Sequence, residues 1–417
     1  MNKVIMKNLC SVFGRIIPVA MTFLIFAIFG CQKQGEETVS LDADNTMTVE
    51  KAIDEVNAFL KEIEPVVTRS YGESRRVVSS WVKSLDKGAS PSDAMSPKLY
   101  ILNFDDSKGF AIVSNDPRKG VLGLALSGTY EEDEPIDNPG FAIIMEQLEK
   151  YARIPTRVDS IDHYEYGQWQ ETYYVPNTGY CPVKWSQGIN AGNQYNAYCP
   201  TINGLKCLAG CIPVAIAQLM SMYKYPSSYE AFSFNWNSMI ANSAATDYNS
   251  EYYVGRLLQQ LGSNQNLNVT YGISVSLAYY YDIPQTLSNF GFANGGNIGI
   301  LNYSHGIQDL KNGYPIILTG YTYLGEGHTW LAHGVFERTR SYQGYSESGE
   351  ILDYGTETID YILHNFGWGG VADGYYMLGN YNTPCGPTYL DPSLSYSSTG
   401  SYNYISNIIC NYGIRCN

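Results

Sequence analysis

Basic residues are few for a chain of this length. Its 417 residues hold 26 Lys and Arg against 40 Asp and Glu, a net charge of −14. That balance argues against nucleic acid as a partner, because binding phosphates takes a basic face. Histidine is scarcer still, with five residues at 163, 305, 328, 333 and 364. Such scarcity, with no His-Glu-x-x-His sequence, rules against most multi-histidine metal sites. No metal and no cofactor is therefore expected. No internal repeat is evident. The apolar stretch Ile16 to Gly30 is too short to span a bilayer comfortably.

What is present begins with that stretch. Lys3, Lys7 and Arg15 precede it, and it ends at Gly30-Cys31, so residues 1–31 look like an export signal. A small residue before a cysteine fits a lipobox, with Cys31 acylated as the mature N-terminus. An ordinary signal peptide or an N-terminal anchor would also carry the chain out of the cytoplasm. Membrane attachment is expected only through the lipid on the precursor. Residues 32–44 are polar and read as a tether.

Nine cysteines stand at 10, 31, 181, 199, 207, 211, 385, 410 and 416. Cys10 leaves with the signal and Cys31 takes the lipid. Setting Cys211 aside leaves six, which could pair in an oxidising compartment with a connectivity the sequence leaves open.

Residues 45–85 show helical spacing at Val49, Ile53, Val56 and Leu60. Lys98 to Phe104 and Phe110 to Ser114 predict a hairpin, Val121 to Leu126 a third strand, and Phe141 to Tyr151 a helix. Residues 45–160 thus form a small α+β domain, and 161–180 a polar, tyrosine-rich linker. From 181 to 417 the composition shifts to Gly, Asn, Tyr and Cys. There a helix at 211–224 precedes strands at 315–319, 329–336, 358–365 and 374–378, again an α+β plan.

The chemistry centres on Cys207-Leu-Ala-Gly-Cys-Ile-Pro-Val-Ala-Ile-Ala-Gln-Leu-Met220. Pro213 fits only a first helical turn, so Cys211 lies at or just before the first helical position. Unpaired amides and the helix dipole favour a thiolate there; a buried structural cysteine is the competing account. A thiolate nucleophile needs a proton carrier. His328, in Gly325-Glu-Gly-His-Thr-Trp330, sits at a glycine-flanked strand mouth, while His333 should face the other side. Asn365 could orient the imidazole, with Trp368 shielding that bond. The backbone amide of Cys211 and the side chain of Gln187 are the candidate oxyanion donors.

Together these segments resemble the streptopain-like cysteine peptidases, a papain-fold family made as zymogens. The matching residues are Trp185-Ser-Gln187, Tyr195-Asn196, Cys199-Pro200, Ala209 to Met220, Tyr225-Pro226, Gly327-His-Thr-Trp330 and Asn365 to Gly374. Upstream, Tyr100 to Ser114 looks like the family's propeptide hairpin. The resemblance implies a papain-like catalytic domain at 181–417 behind an inhibitory propeptide at 45–160, with activation cleavage in between. Cys211 would be the nucleophile and His328 the general acid/base. Ser276 (or Ser274) and Gly327 would line the cleft, and a bulky apolar P2 residue would be preferred. Protein or peptide substrates follow, as does an endogenous protein inhibitor resembling the propeptide. The family commonly has aspartate at the position of His333 and tryptophan at that of Phe366. The stretch from Gly188 to Tyr195 is also longer here. A catalytically silent surface-binding homologue and a papain-fold acyltransferase are the alternatives.

Overall fold

The computed structural model of the chain describes residues 47–71, 74–86, 96–153, 161–190, 192–241, 248–378, 380–382, 401–403 and 408–416. The expected signal with Cys31, the tether 32–44 and Cys385 lie outside them. All the described residues fall within one compact unit, 43–417.

Helix α1 (Val49–Tyr71) buries Ala52, Val56, Phe59, Leu60 and Ile63, the three- and four-residue spacing of one helical face. It ends at 71 instead of running to 85. Beyond it Val77-Val-Ser-Ser-Trp-Val-Lys-Ser84 is strand β1, where β-branched and aromatic residues suit a pleat better than a helix. Strands β2 (Lys98–Phe104), β3 (Phe110–Ser114) and β4 (Val121–Ala125) follow, and β2–β3 pairs from Leu99↔Ser114 to Asn103↔Phe110. Helix α2 (Pro139–Arg153) is capped by Asn138, whose Oδ1 accepts from the amides of Gly140 at 3.1 Å and Phe141 at 3.2 Å.

The expected linker is structured within the described residues. Strands β5 (His163–Tyr166) and β6 (Gln170–Tyr174) both pair with a long strand further on. Their side chains are exposed or half-buried, so no hydrophobic alternation marked them.

Three short ribbons interrupt the next region: β7 (Ile189–Asn190) with β8 (Asn193–Gln194), β9 (Thr201–Ile202) with β10 (Leu205–Lys206), and β11 (Ser228–Tyr229) with β12 (Phe232–Ser233). Helix α3 (Cys211–Tyr223) lies between the second and third, buried from Ile212 to Met222. Four helices not anticipated from the sequence follow: α4 (Trp236–Ala241), α5 (Tyr248–Leu261), α6 (Ile283–Asn289) and α7 (Ile307–Lys311), with β13 (Asn297–Ile300) before the last. The remaining strands are β14 (Ile316–Tyr321), β15 (Gly327–Tyr345), β16 (Ile351–Asn365), β17 (Gly374–Met377), β18 (Asn380–Asn382), β19 (Ser401–Asn403) and β20 (Ile409–Tyr412).

Among the described residues, fourteen strands join one antiparallel sheet whose main path runs β1-β2-β3-β4-β17-β16-β15-β14-β20-β13. The N-terminal strands thus continue into the second half through β4 and β17, at Ala125↔Gly374. Alternate residues of β14 and β15 feed two cores. Ile316, Leu318, Trp330 and Ala332 face the core shared with α1 and α2. Ile317 and Leu331 face the core built around α3.

The N-terminal block is also tied down by side chains. Phe59 meets Phe336 and Tyr361 edge-on at centroid distances of 5.5 and 5.0 Å. Arg338 pairs with Glu62 at 2.9 Å and covers the Trp169 ring at 4.4 Å. Where β4 meets β17 in this sheet, Asp373 is buried. Its Oδ1 accepts from the Phe366 amide at 2.8 Å, and its carbonyl accepts from the Leu126 amide at 2.7 Å. Burial drives its pKa up to about 7, against the smaller opposing pulls of the Phe366 amide and Lys184.

Phe59→Ala should lower stability by roughly 3–5 kcal/mol, read from the urea midpoint, because it opens a cavity beside the Phe336 and Tyr361 rings. Asp373 gives a signed pH effect. The proton it holds stabilises the fold fully below the unfolded carboxylate range, at about pH 4, and that contribution is lost as pH rises towards about 7. Asp373→Asn, which keeps the acceptor but not the charge, should stabilise the chain at about pH 8 by at most about 4 kcal/mol. The two urea curves should converge as pH falls towards about 4; parallel curves at every pH would contradict this account.

Candidate active site

Cys211 is the first residue of α3, and Gly210 before it adopts φ 97°. That left-handed angle is cheap for glycine and turns the chain sharply into the helix. The residue is half-buried. Burial pushes the thiol up, while the amides of Thr329, Ile212 and Cys211 and the Thr329 hydroxyl pull the other way. The help expected from the helix terminus is present but outweighed by desolvation.

Gln187 lies beside the same loop. Its carbonyl accepts from the Ala209 amide at 2.8 Å, two residues before Cys211, and the residue is buried. Ser276 is buried as well, donating to the Leu208 carbonyl at 2.7 Å and accepting from the Gly272 amide at 3.0 Å. A Cβ at Gly210 would lie 3.7 Å from the Ser276 Cβ, so this serine borders the thiol loop, whereas Ser274 is exposed.

His328 is elsewhere. It pairs in register with Gly320 and faces the side of α2. Its Nε2–H donates to the Phe366 carbonyl at 2.8 Å. The ring lies parallel to Trp330 at 6.2 Å and edge-on to Trp368 at 6.1 Å. Burial lowers its pKa to about 4, so the imidazole is neutral. Gly140, at the start of α2, is its closest cover: a Cβ there would come within 2.9 Å of the imidazole and 2.4 Å of Phe366. Thr329, the next residue, points to the other face of the strand, where its hydroxyl lies 2.8 Å from that of Thr319. No hydrogen bond joins Cys211 and His328 among the described residues.

Asn365 does not orient this imidazole. Its Oδ1 accepts from Gln218 Nε2 at 2.7 Å and from the Gly367 amide at 3.1 Å, which occupies both lone pairs. Its Nδ2 donates to the Val183 carbonyl at 2.8 Å and towards the Cys181 sulfur at 3.6 Å. The cause is alternation: Asn365 pairs with Leu331, on the α3 side of the sheet, while His328 faces α2. Trp368 keeps its place beside the histidine. Gly327 is exposed and lies against Tyr321, whose half-exposed phenol stands near enough to Cys211 that charge on the thiol would oppose its ionisation. The turn between them is pinned to α2, with the Tyr323 amide donating to Glu146 Oε2 at 2.8 Å.

The remaining histidines serve structure. His333 accepts from the Cys181 amide at 3.2 Å and is held near 3 by burial. His364 accepts from Trp330 Nε1 at 2.8 Å. Cysteines 181, 199, 207, 211, 410 and 416 are free thiols, so the pairing open to six of the cysteines is not made among the described residues. Among those residues no cluster of three or more His, Cys, Asp or Glu could hold a metal ion, and no helix is long and apolar enough to cross a membrane.

Three contributors escaped the sequence. Thr329 could have been found by applying the two-residue period of a strand to His328. Gln218 is a polar residue inside the otherwise apolar α3. Gly140 carried no local signal, since its role depends on a contact nearly 190 residues away.

Residues 185–376 match the Peptidase C10 family. Streptopain of Streptococcus pyogenes serotype M1 is 22% identical over 348 residues, covering 72% of this chain and 78% of its own. Streptopain of serotype M3 strain SSI-1 gives the same figures. Among solved structures, a cysteine-to-alanine fragment of Prevotella intermedia prointerpain A is similar at 18% identity and a TM-score of 0.47, over 81% of this chain and 100% of that one. Active wild-type interpain A, from the same organism, gives 18% and 0.37, over 56% and 93%. The family segment at 185–376 and the streptopain relatives support a streptopain-like cysteine peptidase.

Proposed function

We propose that this peptidase is an exported endopeptidase made as a latent precursor, with Cys211 as nucleophile and His328 as general acid/base. The observation that carries latency is the position of His328. It is held by the Phe366 carbonyl on the α2 face of β15 and covered by Gly140, while Cys211 lies beyond the opposite face. The N-terminal block, about 45–160, supplies that cover. Cleavage within 153–184, with Arg153, Arg157 or Lys184 as P1, would release it and let the glycine-flanked turn before His328 re-form. The lipid on Cys31 would leave with the block.

In the released enzyme the Cys211 thiolate attacks a peptide carbonyl. The Cys211 amide and the Gln187 side chain hold the oxyanion. His328 protonates the departing amine, then activates water against the thioester. Trp368 keeps water from the imidazole. Ser276 and Gly327 border the cleft, where a bulky apolar P2 side chain would sit.

Casein cleavage should be lost in Cys211→Ala, down to the background rate. Retained cleavage would remove Cys211 from the mechanism, and transfer to an added amine in place of hydrolysis would point to an acyltransferase. Gly140→Ala should unseat the imidazole, because the new methyl group collides with it. The uncut Gly140→Ala precursor is then expected to react with an epoxysuccinyl probe faster than wild type; equal labelling would show that the seat does not hold the enzyme latent.

A further inference from the structure

The segment Val275-Ser-Leu-Ala-Tyr-Tyr-Tyr281 alternates around one buried serine. Val275, Leu277, Tyr279 and Tyr281 are 61%, 62%, 64% and 56% exposed. The residues between them turn inward: Ser276 is buried, and Ala278 and Tyr280 pack against the core built around α3. The alternation is that of a strand, with large apolar side chains on its solvent side. Scattered exposed apolar residues are ordinary, but four within seven residues point to an interaction. The row is also held in shape. Leu277 exchanges both main-chain hydrogen bonds with Thr270 at 2.9 Å, and the Tyr279 and Tyr281 rings stack nearly parallel at 5.0 Å.

The peptide unit joining Leu208 to Ala209 fixes where this row stands. Its carbonyl accepts from the Ser276 hydroxyl at 2.7 Å, and its amide donates to the Gln187 carbonyl at 2.8 Å. In a trans peptide these two groups point in opposite directions. Ser276 and Gln187 therefore occupy opposite banks of the loop that ends at Cys211. Gly210, one residue before the thiol, would set a Cβ 3.7 Å from that of Ser276. The apolar row flanks Ser276 in the chain, so it belongs to the Ser276 bank.

We propose that Val275, Leu277, Tyr279 and Tyr281 form a shelf that sets specificity beyond P2, by taking an apolar side chain at P4 of an extended substrate. This rests on Cys211 being the nucleophile and on the P2 side chain lying beside Ser276. In an extended peptide P2 and P4 share one face and lie about 6.6 Å apart, while P3 points away. A substrate that lays P2 against Ser276 thus brings P4 back to the same bank. Stacked tyrosines offer it a broad apolar surface with little side-chain freedom left to lose. The shelf touches substrate only and takes no part in bond making or breaking.

Two fluorogenic peptides, identical except for leucine or glycine at P4, test this with protein expressed as the full chain. The leucine peptide should be cleaved with a kcat/KM roughly tenfold higher, the difference lying in KM. The double variant Tyr279→Ser/Tyr281→Ser should bring that ratio below about twofold, with the loss falling on the leucine peptide. Leu277→Ser should lower it part of the way. Equal cleavage of the two peptides by wild type overturns the proposal, as does an unchanged ratio in the double variant or an equal loss on both peptides. A dimer that dissociates in the double variant, with the ratio unchanged, also overturns it and would assign the row to a second copy. If circular dichroism shows the double variant unfolded, Leu277→Ser decides by the same ratio. If wild type cleaves neither peptide, a peptide with benzoylphenylalanine at P4 is photo-crosslinked to the full chain, where the row is exposed. Adducts within 275–281 support the shelf; adducts elsewhere, or none, overturn it. Cleavage retained by Cys211→Ala would unseat the nucleophile and leave a measured P4 ratio standing, so the two failures are distinguishable.

Discussion

A β-strand sends successive side chains to opposite faces, and the site depends on that rule at two adjacent residues. His328 and Thr329 are neighbours on β15, so one faces α2 and the other faces α3. As long as the strand is regular there, the imidazole and the thiol it should serve are on different sides of the sheet. The N-terminal block covers the strand there. Its helix α2 fills the space over His328, and Glu146 holds the turn that leads into it.

Burial then sets the chemistry of the resting state. With the imidazole neutral and the thiol pushed up, neither partner carries the charge that an ion pair would need. The donors around the sulfur oppose that trend without reversing it. Asp373 adds a second dependence, because its carboxyl holds the amide of the residue whose carbonyl holds His328. The turn from Phe366 to Asp373 is therefore a joint between the histidine, the tryptophan beside it and the N-terminal strands.

Much of this was legible in the sequence. Cys211 at a helix start follows from Gly210, Pro213 and the apolar run behind them. The β2–β3 hairpin, α2, β14, β17 and the halves of β15 and β16 nearest the site follow from period and turn residues. The helices between 236 and 311 were missed because short segments rich in Tyr, Asn and Ser carry little periodic signal. Strands β5 and β6 were missed because an edge ribbon with solvent on its faces needs no apolar alternation. Asn365 was expected to orient the imidazole from its place downstream of His328, but here its amide oxygen is saturated by Gln218 and Gly367. Sequence spacing says which residues belong to one site; it does not say which rotamer or register a covering segment imposes.

The pairing of β4 with β17 has its own consequence. In the intact chain, the main-chain groups of Gly374 to Tyr376 are matched by Gly123 to Ala125. Departure of the block would strip that partner and leave β17 as a bare margin of the sheet. Such a margin is a template for any extended chain of suitable length. The finished enzyme would carry, next to its tryptophan turn, a docking rail that its own precursor had kept occupied.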